Sequence, residues 1–356
     1  MPISSKNLAD LLDHGFDTVI DVRSPAEFAE DHLPGAINLP VLDNEERARV
    51  GTIYKQESPF RARKIGAALV FKNAARHIEG PLADQDGGWQ PLVYCWRGGQ
   101  RSGSMAWMLR EIGWRSDTIK GGYKTYRRLV CGMLYDAPLN LRLVQLGGYT
   151  GTAKTDLLGV LAQRGIQVID LEGLAHHRGS LLGDRPGGQP SQKAFESALA
   201  REILRLDPAR PVVVEAESSK IGDLILPPSL WAAMKDAPWI EMAAPIKART
   251  SYLVEAYADI LADGDALKEK LAPLRRHRGH ALVDDWFDRI GRGDKAGLVE
   301  SLMQDHYDPA YATAMRGLAP EVIARVDAKS LDQSALGEVA AEIEGTLDQM
   351  GNLVRS

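Results

Sequence analysis

Short apolar runs alternate with amphipathic stretches along most of the chain. The runs "DTVIDVR", "GAINLP", "PLVYC" and the start of "SDTIK" predict strands in the first third. Between them, "NLADLLDHG", "SPAEFAEDH", "GSMAWMLREIG" and the segment after "KGGY" carry helical spacing, with Ser24, Pro25 and Glu27 forming an N-terminal signal. Residues 43–79 read as largely helical and rich in both charges. A proline-containing stretch without periodicity, "LYDAPLN" (134–140), predicts a linker. A second series follows: strands "LRLVQL", "IQVID", "RPVVVEAE", "PWIEMAAP" and "EVIARVDA", with helices over "TDLLGVLAQRG", 192–206, "IKARTSYLVEAYADIL", 265–318 and "QSALGEVAAEIEGTLDQMG". Such alternation predicts an α/β protein with mostly parallel sheets flanked by helices. The expected domains are 1–136 and 137–356, the second ending in a helical part.

The 356 residues suffice for two domains. No apolar run approaches the ~18 residues of a membrane span. The start, "MPISSKNLADLLDHG", lacks the basic and apolar regions of a signal peptide, so none is expected. Two cysteines argue against a disulfide framework and for a cytoplasmic setting. A net charge of −5 gives no overall attraction to nucleic acid, which leaves local patches to decide.

The stretch "YCWRGGQRS" (94–102) puts Cys95 at the carboxyl end of a strand, where open α/β sheets bind ligands. Thiolate is the reactive form of cysteine, and a helix N-terminus and nearby arginines favour it. Arg97 and Arg101 lie in the loop, and Gly98 and Gly99 let its amides curl toward an anion. Cys131 has no such neighbours and reads as a packing residue.

The motifs "DVRSPAEFAEDHLPGAINLP" (21–40) and "VYCWRGGQRSGSMAWML" (93–109) resemble the rhodanese domain. That resemblance implies that Cys95 carries a chalcogen, as a persulfide in rhodaneses, and that Asp21 and Arg23 brace the site. It makes His32, Gly35 and Asn38 structural. The Cys95-to-Arg101 spacing is one residue longer than in common rhodaneses and is similar to that of cysteine phosphatases. A wider loop suits a tetrahedral phosphorus group or a larger chalcogen, and the sequence leaves both open.

In the second domain "GGYTGTAKT" (147–155) follows a strand and opens a helix, the context of a phosphate-binding loop. Gly148, Thr150, Gly151, Lys154 and Thr155 are the candidate diphosphate-binding residues. Ala153 replaces the glycine of the usual pattern and adds a Cβ at a position that favours backbone freedom. Asp170, Glu172, Glu215 and Glu217 end strands nearby. Asp170, Glu172 and Glu215 are candidates to position magnesium or water, and the metal itself is left unknown. "AHHRGSLLGDRPG" (175–187) reads as a substrate loop rather than a metal site, since adjacent histidines do not share a helix face.

Together "YCWRGGQRS", "GGYTGTAKT", "DLEGLAHHRGSLLG" and "EAESSKIG" resemble the bacterial tRNA 2-selenouridine synthase family over nearly the whole chain. The resemblance implies conversion of wobble 2-thiouridine at position 34 to 2-selenouridine through an S-geranyl intermediate. Its substrates would be geranyl diphosphate and selenophosphate, with no tightly bound cofactor and Mg2+ as a candidate ion. Cys95 would receive or deliver selenium, a perselenide being one form. Arg97, Gly98, Gly99 and Arg101 would hold selenophosphate. The expected partner is the tRNA anticodon region, with a selenophosphate supplier as a candidate protein partner and no membrane.

Basic residues crowd 97–128, interleaved with Trp107, Trp114, Tyr123 and Tyr126, and recur in "KEKLAPLRRHRGH" (268–280). Arg110, Lys120, Lys124, Arg127, Arg128, Arg275, Arg276 and Arg278 are therefore candidate tRNA contacts. Rival readings are a sulfurtransferase fused to a nucleotide-dependent kinase or ATPase, a cysteine phosphatase, and a non-catalytic tRNA-binding adaptor.

Overall fold

A computed structural model describes residues 2–353. The chain forms two compact units. One comprises the chain up to Ala137 with Pro190–Leu204; the other comprises Pro138–Gln189 and the chain from Arg205 onward.

In the first unit the strands are β1 (Thr18–Asp21), β2 (Ile37–Asn38), β3 (Pro91–Tyr94) and β4 (Asp117–Thr118), in the order β2-β1-β3-β4 and all parallel. All four residues of "PLVY" are buried, as expected for a central strand covered on both faces. Helices are α1 (Leu8–Leu12), α2 (Pro25–Glu30), α3 (Asn44–Gln56), α4 (Pro59–Glu79), α5 (Gln100–Ile112) and α6 (Gly122–Tyr135). The helical stretch expected over 43–79 is broken at Ser58, whose hydroxyl caps the Arg61 amide, while Pro59 opens α4. Ile20, Val22, Val41, Val93, Met105 and Leu109 pack into one core beneath the cysteine loop.

The second unit contains β5 (Arg142–Gly148), α7 (Lys154–Gln163), β6 (Gln167–Ile169) and α8 (Leu171–Ala175). The chain then enters the first unit as α9 (Gln192–Leu204) and returns for β7 (Pro211–Glu215). A small antiparallel pair, β8 (Lys220–Ile221) and β9 (Leu224–Ile225), precedes α10 (Pro228–Lys235), β10 (Trp239–Ala243), α11 (Ile246–Ala256) and β11 (Val322–Asp327). The sheet order is β11-β10-β5-β7-β6, all parallel. Val144, Leu146, Leu157, Val213, Ile240 and Met242 pack with Ile343 and Leu347 from the helix Gln333–Leu353. Short helices between Gly264 and Leu318 build a second cluster around Trp286, Leu271, Val283, Leu302 and Met303.

Residues 190–204 depart from the expected division at residue 136, because α9 packs with the first unit. Its contacts explain the choice. Glu196 pairs with Arg127 and accepts from the Tyr135 hydroxyl at 2.6 Å. Ser197 donates to the buried Asp31 carboxylate at 2.9 Å, and Lys193 meets Glu30 at 2.6 Å. Among the described residues no helix is long and apolar enough to cross a membrane.

Candidate functional site

β3 delivers Cys95 to the sheet's carboxyl edge, and α5 begins five residues later. Cys95 is 4% exposed and belongs to the same buried cluster as Val22, Val93 and Met105. Burial in that hydrocarbon pushes the thiol pKa up. The opposing effects win: a hydrogen bond from the Ser102 hydroxyl at 3.2 Å, backbone donors at Ser102 and Gly99, and the Arg101 charge bring it below its ordinary value. Thiolate is thereby favoured at the head of a helix.

Glycines shape the loop from both sides. Gly98 has φ +62°, and a Cβ there would lie 2.5 Å from the Ile119 carbonyl. Gly122 is packed so closely that a Cβ would collide with the Cys95 carbonyl. The Tyr123 and Lys124 amides at the start of α6 donate to the carbonyls of Cys95 and Trp96. The loop is therefore wedged against the "KGGYK" turn, a role for Gly121–Gly122 that the sequence pattern marks only as a turn.

Arg97 is exposed. Arg101 is not free: it donates to both Glu27 oxygens, at 2.9 and 3.4 Å. Its pairing pulls the Glu27 carboxyl below its usual range despite burial, which pushes the other way. Asp21 and Arg23 form a buried pair, with Arg23 also donating to the Asp31 carbonyl and lying 4.0 Å over the Tyr123 ring. His32 stacks on Phe28 and Asn38 donates to the Asp21 and Arg23 carbonyls; Gly35 takes φ +74°. These are supporting contacts.

In the second unit β5 ends in the phosphate-type loop and α7 begins at Lys154. Gly148 has φ +148°, and a Cβ there would lie 2.5 Å from the Met242 carbonyl oxygen; Gly151 has φ +84° and sits against Leu253. Ala153 itself takes φ +58°, so the residue standing where glycine is usual is held in the left-handed region, at a cost of roughly 1–2 kcal/mol. Lys154 Nζ donates to the Gly148 carbonyl at 3.1 Å. The Thr155 hydroxyl donates to Glu172 at 2.9 Å. Sequence reading missed the residues that clamp this loop. Arg249 donates to the Thr150 carbonyl at 2.9 Å, is held by Asp308, and stacks on Tyr149; the Gly148 amide donates to the Tyr311 hydroxyl.

The loop opens on a cleft of about 910 Å³, lined by Thr150–Asp156, Glu172, His176, Arg178–Leu181, Arg185, Glu217 and Tyr257 among others. "AHHRGSLLGDRPG" does contribute to this wall, although His177 turns inward, buried beside Asp184. A narrow apolar slot adjoins the cleft and shares Thr150, Ser180, Leu253, Tyr257 and Tyr307 with it. Leu182, Ile260, Leu261, Val299, Leu302 and Met303 complete the slot.

The acidic candidates separate. Asp170 caps α8 by accepting from Gly173 N at 2.6 Å. Glu215 is buried, accepts from Leu171 N at 2.7 Å, and has its pKa raised well above the carboxylate range by burial and by Asp170 and Glu172. Of the strand-end candidates and their neighbours, Glu172 and Glu217 line the cleft, together with Asp156 and Glu255. Burial, then repulsion from Glu172, pushes Glu217 up to about 8, with Lys154 acting in the opposite direction.

The basic candidates also divide. Lys120, Lys124 and Arg128 are exposed. Arg110 donates to the Ser116 carbonyl, Arg127 is engaged by Glu196, Arg275 by Asp284, and Arg278 by His306; Arg276 is exposed. Trp114, Tyr123 and Tyr126 are buried core residues, which corrects their reading as aromatic neighbours available to a base; Trp107 is exposed.

Comparison with known proteins agrees with both halves of this geometry. The family model of the rhodanese-like domain matches residues 4–129, and that of the tRNA 2-selenouridine synthase AAA domain matches residues 141–281. The tRNA 2-selenouridine synthase of Alcanivorax borkumensis is 34% identical over 82% of this chain and 88% of its own. That of Hahella chejuensis is 33% identical over 88% and 89%, and that of Aeromonas salmonicida 39% identical over 82% and 86%. The chain belongs to the tRNA 2-selenouridine synthase family.

Proposed function

We propose that this chain replaces the sulfur of wobble 2-thiouridine, at tRNA position 34, with selenium in two steps, using geranyl diphosphate and then selenophosphate. The observation that carries the reading is the apolar slot beside the phosphate-type loop. A diphosphate with a hydrocarbon tail matches that pairing of surfaces; a nucleotide would bring a polar base to a wall of Leu, Ile, Val and Met. The slot's free volume is only about 30 Å³, so a geranyl tail would have to part its side chains. Met303 is suited to such repacking.

In the first step the thiocarbonyl sulfur forms a bond to geranyl C1 while the C1–O bond to diphosphate breaks. Lys154 and the loop amides would take up the charge of the departing diphosphate. The Thr155 hydroxyl and Glu172 carboxylate fit an oxygen-ligated magnesium ion, which would add positive charge there. No group of three or more His, Cys, Asp or Glu among the described residues is arranged to hold a metal, so such an ion would lean on diphosphate oxygens and water.

In the second step selenium displaces geranylthiol at C2. Electron counting constrains Cys95. Selenium in selenophosphate is already at the selenide level, so a perselenide would require removal of two electrons. Attack at phosphorus balances without an oxidant. The Cys95 thiolate forms an S–P bond, the P–Se bond breaks, and selenide leaves to attack C2. Water then cleaves the S–P bond and releases phosphate. The Ser102 hydroxyl, 3.2 Å from Sγ, is placed to stabilise the thiolate as that bond breaks.

The test is mass spectrometry of tRNA nucleosides after incubation with the full chain and both donors, each omitted in turn. Cys95→Ser should accumulate the S-geranyl nucleoside without selenouridine. Lys154→Ala should suppress geranylation by about 100-fold or more, the scale of losing a principal charge-stabilising donor. Normal selenation by Cys95→Ser, or normal geranylation by Lys154→Ala, would remove that residue from its step.

A further inference from the structure

The outer face of α4 carries a feature that neither site uses. Phe60, Lys64, Phe71, Lys72 and Arg76 are all exposed there. The helix holds five Lys or Arg against one carboxylate, Glu79, so its face is basic although the whole chain is acidic. Arg61 is paired with Glu57 and Arg63 donates to the Pro59 carbonyl. Lys64, Lys72 and Arg76 form no ion pair among the described residues.

Aromatic side chains stand among these cations. Phe60 is 74% exposed, Phe71 44% and Trp107 49%. Phe71 and Trp107 meet edge to face, with centroids 6.2 Å apart, so the pair bridges α4 and α5 and is held in place while remaining open to solvent. Exposed aromatic area costs solubility unless a partner covers it. On α5 the exposed positions Gly103 and Trp107 share one helix face. That helix starts at the cysteine loop, and Trp107 lies about 10 Å along it at 1.5 Å per residue. Glu111 adjoins the lower end of the stripe.

We propose that the α4–α5 face is an RNA-docking surface: Lys64, Lys72 and Arg76 contact phosphates of the substrate RNA near the reacting base, and Phe71 with Trp107 forms a stacking platform for an unpaired base. The assignment rests on the reading of tRNA as substrate. Unpartnered cations with exposed rings match the chemistry of single-stranded loops next to a phosphate backbone.

The test uses the full chain and a fluorescein-labelled unmodified tRNA transcript, with binding followed by anisotropy across a salt series. For Phe71→Ala/Trp107→Ala, Kd should rise about 5- to 100-fold, the range for losing one stacked base. For Lys64→Gln/Lys72→Gln/Arg76→Gln, the slope of log K against log salt should become shallower by about 2. In turnover, KM for tRNA should rise in both variants with kcat nearly unchanged, which a folding defect would not produce. Wild-type-like Kd and slope in both variants would overturn the proposal while leaving the tRNA reading intact. Failure of the unaltered chain to bind the transcript at all would sink both. A self-association that the variants abolish, seen by sedimentation, would assign the face to a second copy and overturn the RNA proposal.

Discussion

Ser102 decides how Cys95 behaves. Burial pushes the thiol pKa up; the hydroxyl of Ser102 and the amides at the head of α5, with the Arg101 charge, outweigh it and bring the pKa below its ordinary value. Ser102→Ala should therefore move the thiol pKa up. A lost hydrogen bond of about 1 kcal/mol corresponds to about a 5-fold lower rate of iodoacetamide alkylation at pH 7, with the high-pH plateau unchanged. The stability effect has a definite sign. A depressed thiol pKa stabilises the fold above the unfolded value, and this contribution is lost as pH falls through the folded value. The variant should thus lose more Tm at pH 10 than at pH 6; an equal loss at both would deny Ser102 its part. The sequence made Cys95 and its glycines legible because they are adjacent. It could not show that Arg101 spends its guanidinium on Glu27, which lies 74 positions away, nor that Tyr123 and Tyr126 face the core. It did flag Ala153, and the left-handed φ there is the strain that its Cβ implied.

At the scale of elements, hydrophobic spacing identifies the buried face of a helix without naming what buries it. Helix α9 illustrates this: its spacing was readable, but its partner is Asp31, Arg127 and Tyr135 of the first unit. The same limit hid Glu217, which reads as a strand-end cap until the fold sets it against Glu172 and Lys154. The strands, the cysteine loop and the phosphate-type loop were legible because parallel α/β units place buried apolar runs and glycine turns in a fixed order. Asp31 provides a measurable consequence. Its carboxyl is raised by burial, with Tyr123 and Ser197 donating against that rise. Ser197→Ala removes one donor from a buried acceptor and should cost about 1–3 kcal/mol in urea unfolding. Because the loss pushes Asp31 further up, the deficit should be larger at pH 7 than at about pH 3, below the ordinary aspartate value of 3.8, where the carboxyl is largely protonated in both states. A deficit that does not change with pH would mean that Ser197 acts through packing alone.

At the scale of the molecule, the cysteine loop draws all its described contacts from the first unit, and the cleft around Lys154 is lined wholly by the second. Chemistry divided in this way should be divisible between two chains. Cys95→Ser retains the phosphate-type loop and Lys154→Ala retains the thiolate, so each keeps one complete site. Mixed together with tRNA, geranyl diphosphate and selenophosphate, they should form selenouridine that neither forms alone, provided the S-geranyl tRNA dissociates between steps. The rate should then depend on the concentration of the second chain, since the intermediate must find it by diffusion. Adding purified S-geranyl tRNA to Lys154→Ala alone supplies the control, because that chain needs only its cysteine loop. Selenation of the added intermediate with no product from the mixture would show that the tRNA is retained between steps. Failure even with the added intermediate would mean that Lys154 serves both reactions and that the two sites are not chemically independent.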